Sequence, residues 1–276
     1  MNRTIPLFPA VWLSLLLLTL ALGGCATRQL PPAPEATNSF KAFKSVYFSP
    51  PQAPGLLVNA SLSWRQGKKT ARVILDFWGD FQQGDRSGRL RMDTWSNVGG
   101  NLSYLMEDEQ GLAAFYPDPP KVYSHTDPVT GAQLLGLPFP FSMTHLAQLF
   151  VGNFAPLVPP TFAAATRDAD GGHRFTFARG PVTALVLDAA SKPIALEGQV
   201  DPLPGTSPEQ AKKTSGPWRI AFSRYEEATD GLPSLATTLD LSLPADATGI
   251  LRIKTRQLTV APWPDTAMTL TIPEEA

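Results

Sequence analysis

The chain has 276 residues, a formal net charge of -1 and a single cysteine. This length suits one large β domain or two small ones. The near-neutral charge excludes the basic surface that nucleic-acid-binding proteins present, and one cysteine excludes an internal disulfide framework.

The first segment has the pattern of a secretory signal. Arg3 supplies a short positive region, residues 11–22 are apolar, and the segment ends in the sequence LGGC at residues 22–25. This ending resembles the lipobox of bacterial lipoproteins, which implies that residues 1–24 are a signal peptide and that Cys25 carries lipid on its thiol and amine. An uncleaved anchor helix and an ordinary signal peptide are the alternatives.

The residues after the cysteine indicate a location. Ala26 and Thr27 follow Cys25 without an aspartate, which in proteobacterial lipoproteins resembles release to the outer membrane. We therefore expect a lipid-anchored protein of the outer membrane that faces the periplasm. Each buried methylene contributes about 0.8 kcal/mol, so three acyl chains would anchor the protein almost irreversibly. Residues 25–45 are rich in Pro, Ala and polar residues, which predicts a flexible lipidated tether.

Residues 46–260 are predicted to form one mainly β domain. From residue 56 onward apolar and polar residues alternate in runs that Gly, Pro, Asn or Asp turns separate. About eleven strands with short turns favour an antiparallel sheet. The later candidate strands are 121–125, 173–179, 182–188, 194–200, 217–225, 235–243 and 250–260. Such a sheet must pack, close or be covered.

The segment 134–152, LLGLPFPFSMTHLAQLFVG, predicts a stiff corner followed by a helix. Pro138 and Pro140 cannot lie inside a helix, because proline lacks the amide hydrogen and restricts the residue before it. A shorter helix is predicted over residues 128–135. The signals of the helix after the corner are Ser142 as N-cap, Met143, Leu146 and Phe150 on one face, and Gly152 as its end. These helices either complete a core or form a movable lid over an apolar cavity.

The order of these parts resembles the LolB family of outer-membrane lipoprotein receptors and its periplasmic carrier relative LolA. The resemblance implies an incomplete antiparallel β-barrel with a short helical lid and an apolar cavity for lipoprotein acyl chains. The features that carry it are the lipobox, GRLRMDTWSNVGGNLSYLM at residues 88–106, the segment 134–152, and GPWRIAFSRYEEATDGLPSLATTLDLSL at residues 216–243.

The resemblance also implies site residues. Pro138 and Pro140 would form the hinge of the lid. The receptors present an exposed leucine in a loop between two early strands, which helps deliver cargo to the bilayer; Val98, a shorter residue, occupies that position here. Trp95 is either a second membrane-insertion residue or a residue that packs under the sheet. Alternation shows which residues share a face, not which face is inward, and the predicted cavity residues are Leu75, Phe77, Leu90, Met92, Leu102, Tyr104, Leu146 and Phe150.

Signals of catalysis are missing from the sequence. It contains no Gly-x-Ser-x-Gly elbow, no His-Glu-x-x-His pair and no phosphate loop. His125, His145 and His173 are scattered along the chain, which favours surface or structural roles over metal ligation. We expect no enzymatic activity, no cofactor and no metal site.

The expected function is that of a monomeric receptor, which takes lipoproteins from a LolA-like carrier, holds their acyl chains and inserts them into the outer membrane. One alternative is a lipid-anchored structural or assembly subunit whose barrel its own side chains fill. Another is a carrier for a different amphiphile, such as a phospholipid. Three segments depart from the receptor pattern, namely 153–172, 201–216 and the tail 261–276. They are a modified rim, a partner surface or neutral loops.

Overall fold

One antiparallel sheet of 13 strands organises the chain. The structure is a computed structural model, and it describes residues 33–85, 87–137, 141–229 and 231–272. The strands are β1 Gly55–Gln66, β2 Lys69–Asp80, β3 Arg89–Ser96, β4 Asn101–Asp108, β5 Gly111–Pro117, β6 Pro120–His125, β7 Ala164–Arg167, β8 His173–Thr176, β9 Val182–Leu187, β10 Pro193–Val200, β11 Gly216–Glu226, β12 Leu235–Leu243 and β13 Ala247–Thr259.

The sheet is open. Its order is β6-β5-β4-β3-β2-β1-β13-β12-β11-β10-β9-β8-β7, so the first and last strands of the chain lie side by side in the middle, and β6 and β7 form the two edges. Short turns join most neighbours, as in the pair of β1 with β2, where Gln66 lies opposite Lys69. The prediction of a mainly β, incomplete antiparallel barrel with helices is confirmed. Strand β7 falls in segment 153–172, which the sequence predicted to be a loop.

Four α-helices accompany the sheet in the described part of the chain: α1 Pro34–Tyr47, α2 Pro128–Leu134, α3 Met143–Phe150 and α4 Pro208–Thr214. Helices α2 and α3 match the two predicted helices, and the Ser142 hydroxyl caps α3 by accepting a hydrogen bond from the His145 amide at 3.2 Å. Helix α4 falls in segment 201–216, which was expected to be a loop. None of the described helices has both the length and the apolar character that a membrane span requires.

Helix α1 corrects the predicted tether. Residues 34–45 are helical rather than flexible, and residues 25–32 lie outside the described residues. Ala36, Phe40, Phe43 and Tyr47 are buried, and their spacing places them on one helical face. The proline and alanine content favoured a linker, but the aromatic residues at positions 40, 43 and 47 supply the apolar stripe that holds a helix on a core.

The hydrophobic core lies on one face of the sheet, here called the inner face, where helices α1 and α3 pack. Alternate residues of β1, namely Leu56, Val58, Ala60 and Leu62, are buried on this face. The ring of Phe150 on α3 lies edge-on to that of Phe77 on β2, with 5.5 Å between centroids. Phe40 on α1 has a centroid 5.1 Å from that of Phe175 on β8. The two helices therefore fill the curve of the sheet with their own side chains.

The described part of the C-terminal segment, residues 261–272, packs on the opposite, outer face and is here called the C-terminal strap. Its Trp263 donates an indole hydrogen bond to the Leu56 carbonyl oxygen at 3.2 Å and an amide hydrogen bond to Asp80 at 2.8 Å. Arg91 on β3 donates to the Thr269 carbonyl oxygen at 2.8 Å. The predicted tail is thus an integral part of the fold as far as it is described.

A truncation on α1 measures its place in the core. Phe43 is fully buried, so Phe43→Ala should lower the free energy of unfolding by about 3–5 kcal/mol, the usual cost of a large-to-small core substitution. Urea denaturation followed by tryptophan fluorescence measures the loss. Val46→Ala is the matched control, because Val46 is 48% exposed on the same helix and its truncation should change stability by less than about 0.5 kcal/mol. Equal, small effects of both variants would restore the tether interpretation.

Candidate functional site

An apolar cleft of about 580 Å³ opens at one end of the inner face. We call it the mouth cleft. This volume is in the range of small-molecule and cofactor sites, about 300–1,000 Å³. The residues that line its floor come from the ends of strands, namely Trp64 of β1, Val200 of β10, Leu243 of β12 and Ala247 of β13, and the roof is formed by Val129 and Gln133 of α2 with Leu137 after it.

Helix α2 is held over this end of the sheet by contacts at each of its ends. Asp127 caps it by accepting a hydrogen bond from the Thr130 amide at 2.6 Å, and this bond holds the pKa of the Asp127 carboxyl below its usual range. Gln133 donates to the Asp201 carbonyl oxygen at 3.1 Å. Gly131 allows the close approach to β5 and β6, because a Cβ there would lie 3.0 Å from the Cβ of His125. Helix α2 therefore packs closely on β5 and β6 and is hydrogen-bonded to Asp201, which lines the mouth cleft.

A buried carboxylate anchors helix α3. Glu107 of β4 is only 4% exposed, and it accepts hydrogen bonds from the Met143 amide at 2.6 Å, the Thr144 amide at 3.1 Å and the Thr144 hydroxyl at 2.5 Å. Burial raises the pKa of Glu107 while these hydrogen bonds oppose the rise. A negative charge at a helix N-terminus is also favourable, because the first amide hydrogens of the helix have no partner within it. Glu107 therefore clamps the start of α3 to the inner face.

Six of the predicted cavity residues come together in the core. Leu75, Phe77, Leu90 and Met92 of the sheet and Leu146 and Phe150 of α3 are each at most 5% exposed. Beneath the C-terminal end of α3 lies a small cavity of about 20 Å³. In this conformation Leu146 and Phe150 of α3 fill the space beside the four sheet residues, and the mouth cleft is larger than this small cavity.

Two predicted cavity residues lie on the wrong face. Leu102 is 42% exposed and Tyr104 stacks on Phe115 with 6.0 Å between centroids, whereas the buried positions of β4 are Ser103, Leu105 and Glu107. The residues of β4 alternate between the two faces as predicted, but the set that faces inside is Ser103, Leu105 and Glu107, and not the fully apolar set. Polar residues point inward here because each has a partner: the Ser103 hydroxyl bonds to that of Thr94 at 2.7 Å, and Glu107 caps α3.

The β3–β4 turn presents Val98 at its tip. Val98 is 94% exposed, whereas Trp95 is half-buried and its indole Nε1 is buried without a hydrogen-bond partner among the described residues. Ser96 at the end of β3 pairs with Val73 near the start of β2, so this turn lies at the same end of the sheet as the mouth cleft. Val98 is therefore almost fully exposed at the tip of this turn, whereas Trp95 is partly covered.

The three histidines have structural partners. The His125 ring accepts a hydrogen bond from the Asp127 amide at 3.0 Å, and His173 packs beside Phe175 with 5.9 Å between centroids. The Nδ1 of His145 lies 3.0 Å from the Ser142 hydroxyl, and burial lowers the pKa of His145. Within the described ranges, no group of three or more His, Cys, Asp or Glu residues is arranged to hold a metal ion. Cys25, Pro138 and Pro140 lie outside these ranges.

Comparison with known proteins gives a fold match at low sequence identity. No family model matches the chain, and no curated protein matches it. A solved DUF1329-family protein from Desulfovibrio piger superimposes with a TM-score of 0.54 at 11% identity, over 87% of this chain and 100% of that one. This similarity shows a shared fold.

Two further solved structures are similar at lower scores. A LolA-superfamily protein from Nitrosomonas europaea gives a TM-score of 0.49 at 11% identity, over 86% of this chain and 99% of that one. A putative outer membrane lipoprotein-sorting protein domain from Vibrio parahaemolyticus gives 0.48 at 11% identity, over 84% and 94%.

The burial of Glu107 makes stability depend on pH in a defined direction. Because the folded-state pKa of Glu107 is raised above its ordinary value of 4.5, the folded protein binds this proton more tightly than the unfolded chain. The resulting stabilisation is fully present below pH 4.5 and is lost as the pH rises through the folded pKa. The stability of the wild type relative to Glu107→Gln should therefore fall as the pH rises from below 4.5 towards neutrality.

Urea denaturation at a series of pH values measures this difference. Glu109→Gln, in the turn after β4, is the control for a change of charge, because Glu109 is exposed and the glutamine amide oxygen can still accept the hydrogen bond from the Ser87 hydroxyl. The quantity to follow is the free energy of unfolding of the wild type minus that of Glu107→Gln. If this difference rises with pH, or does not change, the burial of an ionisable group at this helix terminus is contradicted.

Proposed function

We propose that this protein binds the acyl chains of lipoproteins at the mouth cleft and on the inner face beneath α3, and inserts them into the outer membrane. The observation that carries the proposal is the mouth cleft, an apolar opening of about 580 Å³ at the rim of a core that α3 covers. The order of sequence features shared with the LolB family supports the same function. In this proposal α3 is the movable lid, and Glu107 holds its first turn while its C-terminal end swings outward.

The energetics of the cargo require such an enclosure. Exposing one acyl chain of about sixteen carbons to water costs on the order of 12 kcal/mol. A receptor must therefore offer an apolar surface at every stage of transfer. The mouth cleft provides the first part of this surface, and the inner-face residues that α3 covers provide the rest when the helix moves.

The proposal also assigns the protein a location and a partner. Lipid on Cys25 would hold the protein at the outer membrane, facing the periplasm, where a LolA-like carrier would deliver lipoproteins to it. The protein acts as a monomer in this proposal, and it carries out no chemical reaction on the cargo.

Direct transfer tests the whole proposal. A lipid-free Cys25→Ala form is mixed with a triacylated lipoprotein loaded on a LolA-like carrier, and native mass spectrometry follows the masses. We expect the lipoprotein to move onto this protein. Co-purified phospholipid without transfer would favour a carrier for another amphiphile, and a protein that stays empty under all conditions would contradict acyl binding.

One observation favours the structural alternative. In this conformation six inner-face and lid residues that were expected to line a cavity are packed against each other and are at most 5% exposed. A lipid-anchored assembly subunit would keep this core permanently closed. The two functions differ in one measurable property, which is whether acyl ligands bind at all.

A charge on the roof of the mouth cleft should weaken binding. Val129 on α2 lines the cleft and is 40% exposed, so Val129→Asp should fold normally but oblige an acyl chain to desolvate a carboxylate. We expect affinity for a triacylated lipopeptide to fall about tenfold or more, measured by native mass spectrometry titration. Val122→Asp is the matched control, because Val122 is also 40% exposed but lies on edge strand β6. Equal affinity of the two variants would remove the mouth cleft from the site.

The exposed turn predicts a separate effect on delivery. Val98→Glu should leave stability and acyl binding unchanged, because Val98 is 94% exposed, but should slow release into the bilayer, since a carboxylate resists entry into apolar surroundings. Release of lipoprotein into liposomes gives the rate. Val260→Glu is the control at another fully exposed valine. Unchanged delivery by Val98→Glu would show that this turn does not contact the membrane.

A further inference from the structure

A β-bulge turns one arginine of β13 towards the inside of the sheet. Opposite β1, Ile253 pairs with Ala60 and Thr255 pairs with Asn59, so Lys254 is an extra residue between them. One extra residue reverses which side chains face inward. Without it Arg256 would point outward, but it pairs with the fully buried Val58 instead. The sequence thus places a charged side chain on the inner face of the sheet.

Arg256 lies against the part of the core that the end of α3 covers. Its side chain is only 3% exposed. With Leu149 and Phe150 of α3 and the neighbouring residue Phe154, it lines the cavity of about 20 Å³ beneath the helix. Burial lowers the pKa of Arg256, as expected for a cation in apolar surroundings. The remaining lining residues are aromatic, aliphatic or proline side chains.

The guanidinium is only partly satisfied by the protein. Its Nη1 forms a hydrogen-bonded ion pair with Glu226, and its Nη2 donates to the Ala236 carbonyl oxygen at 2.8 Å. The Nε–H is buried and has no acceptor in the described part of the chain. A buried donor without an acceptor costs free energy, so this position gains from a ligand oxygen.

The chemistry of the site selects the type of oxygen. The Glu226 carboxylate already compensates the charge of Arg256, and no other Lys or Arg is among the described residues that line the small cavity, so a second anion there would meet a carboxylate without a lining cation to balance it. A neutral carbonyl oxygen needs only the free N–H. The surrounding aromatic and aliphatic side chains suit the hydrocarbon on either side of such a carbonyl.

We infer that Arg256 binds the ester or amide carbonyl of an acylated cargo, and that the site distinguishes esterified chains from free fatty acids. This inference rests on the proposed function and deepens it, because it names the polar group that the inner face recognises. The site becomes accessible when the C-terminal end of α3 moves away from the small cavity. Acyl esters and amides are the linkages by which lipoproteins and glycerolipids carry their chains, so both cargo types fall within this class.

The test compares three ligands with one hydrocarbon length. Hexadecane has no oxygen, methyl palmitate has an ester carbonyl, and palmitate has a carboxylate. Each is titrated against the protein loaded with a fluorescent apolar dye, and displacement gives its affinity. For the wild type we expect methyl palmitate to bind about tenfold more tightly than hexadecane, the effect of one hydrogen bond to a charged group, and palmitate to bind no more tightly than the ester.

Two variants assign any preference to Arg256. Arg256→Met should lose the preference for the ester over hexadecane. Glu226→Gln keeps the arginine and a hydrogen-bond acceptor beside it but removes the counter-charge, so it should shift the preference towards palmitate. Arg174→Met is the matched control, because Arg174 pairs with Glu197 and does not line the small cavity.

The results of this test distinguish a failure of acyl binding from a failure of the role proposed for Arg256. If none of the three ligands displaces the dye from the wild type, acyl binding itself fails. If all three displace it with equal affinity, acyl binding stands and the role of Arg256 is wrong. A wild type that prefers palmitate, or an Arg256→Met variant that retains the preference for the ester, also overturns the assignment of a neutral carbonyl to this site.

Discussion

An open sheet cannot bury its inner face by itself, and this constraint determines the roles of most other elements. Strands β6 and β7 end the sheet without pairing to each other, so its apolar inner face depends on helices for cover. Helix α1 supplies aromatic side chains at one side and α3 fills the space beneath the middle strands. The cover is made of separate helices rather than of further strands, and separate helices can move without breaking the backbone hydrogen bonds of the sheet.

The cover is attached unevenly. The first turn of α3 is held by three hydrogen bonds to one buried carboxylate. Its last turn makes apolar contacts, such as that of Phe150 with Phe77, and beyond it the Phe154 amide donates one hydrogen bond to the Tyr47 carbonyl oxygen of α1 at 2.7 Å. Apolar contacts are non-directional and can be exchanged for contacts with another apolar group at little cost. Directional hydrogen bonds to a buried charge cannot be exchanged in this way. In the proposed lid motion, α3 would therefore turn about its N-terminal end, next to the β4 strand that carries Glu107, and the bond between Phe154 and Tyr47 would break.

Local patterns predicted the fold more completely than the site. Alternation and turn residues located most strands, and the cap at Ser142 located α3, because these signals reside in adjacent residues. The inward direction of β4 could not be read in the same way, since Ser103 and Glu107 face inside only because Thr94 and α3 offer them partners. The bulge at Lys254 depends on pairing with β1, nearly two hundred residues earlier in the chain, and has no local signal. Helix α1 is different, because its sequence contains two competing local signals. The spacing of its aromatic residues favours a helix, whereas its proline and alanine content favours a linker.

Exchange of α3 side chains for acyl chains is energetically reasonable. A fully buried Leu or Phe contributes about 1.5–3 kcal/mol, so uncovering Leu146, Leu149 and Phe150 costs roughly 5–9 kcal/mol before they find new contacts. Burial of one sixteen-carbon chain returns on the order of 12 kcal/mol. In the proposed receptor, the protein would therefore remain closed without cargo and open when a chain enters from the mouth cleft. The helix would close again once the chain leaves, so the same apolar side chains would protect the empty core from water and favour the release of cargo into a bilayer, where the chain loses nothing by departing.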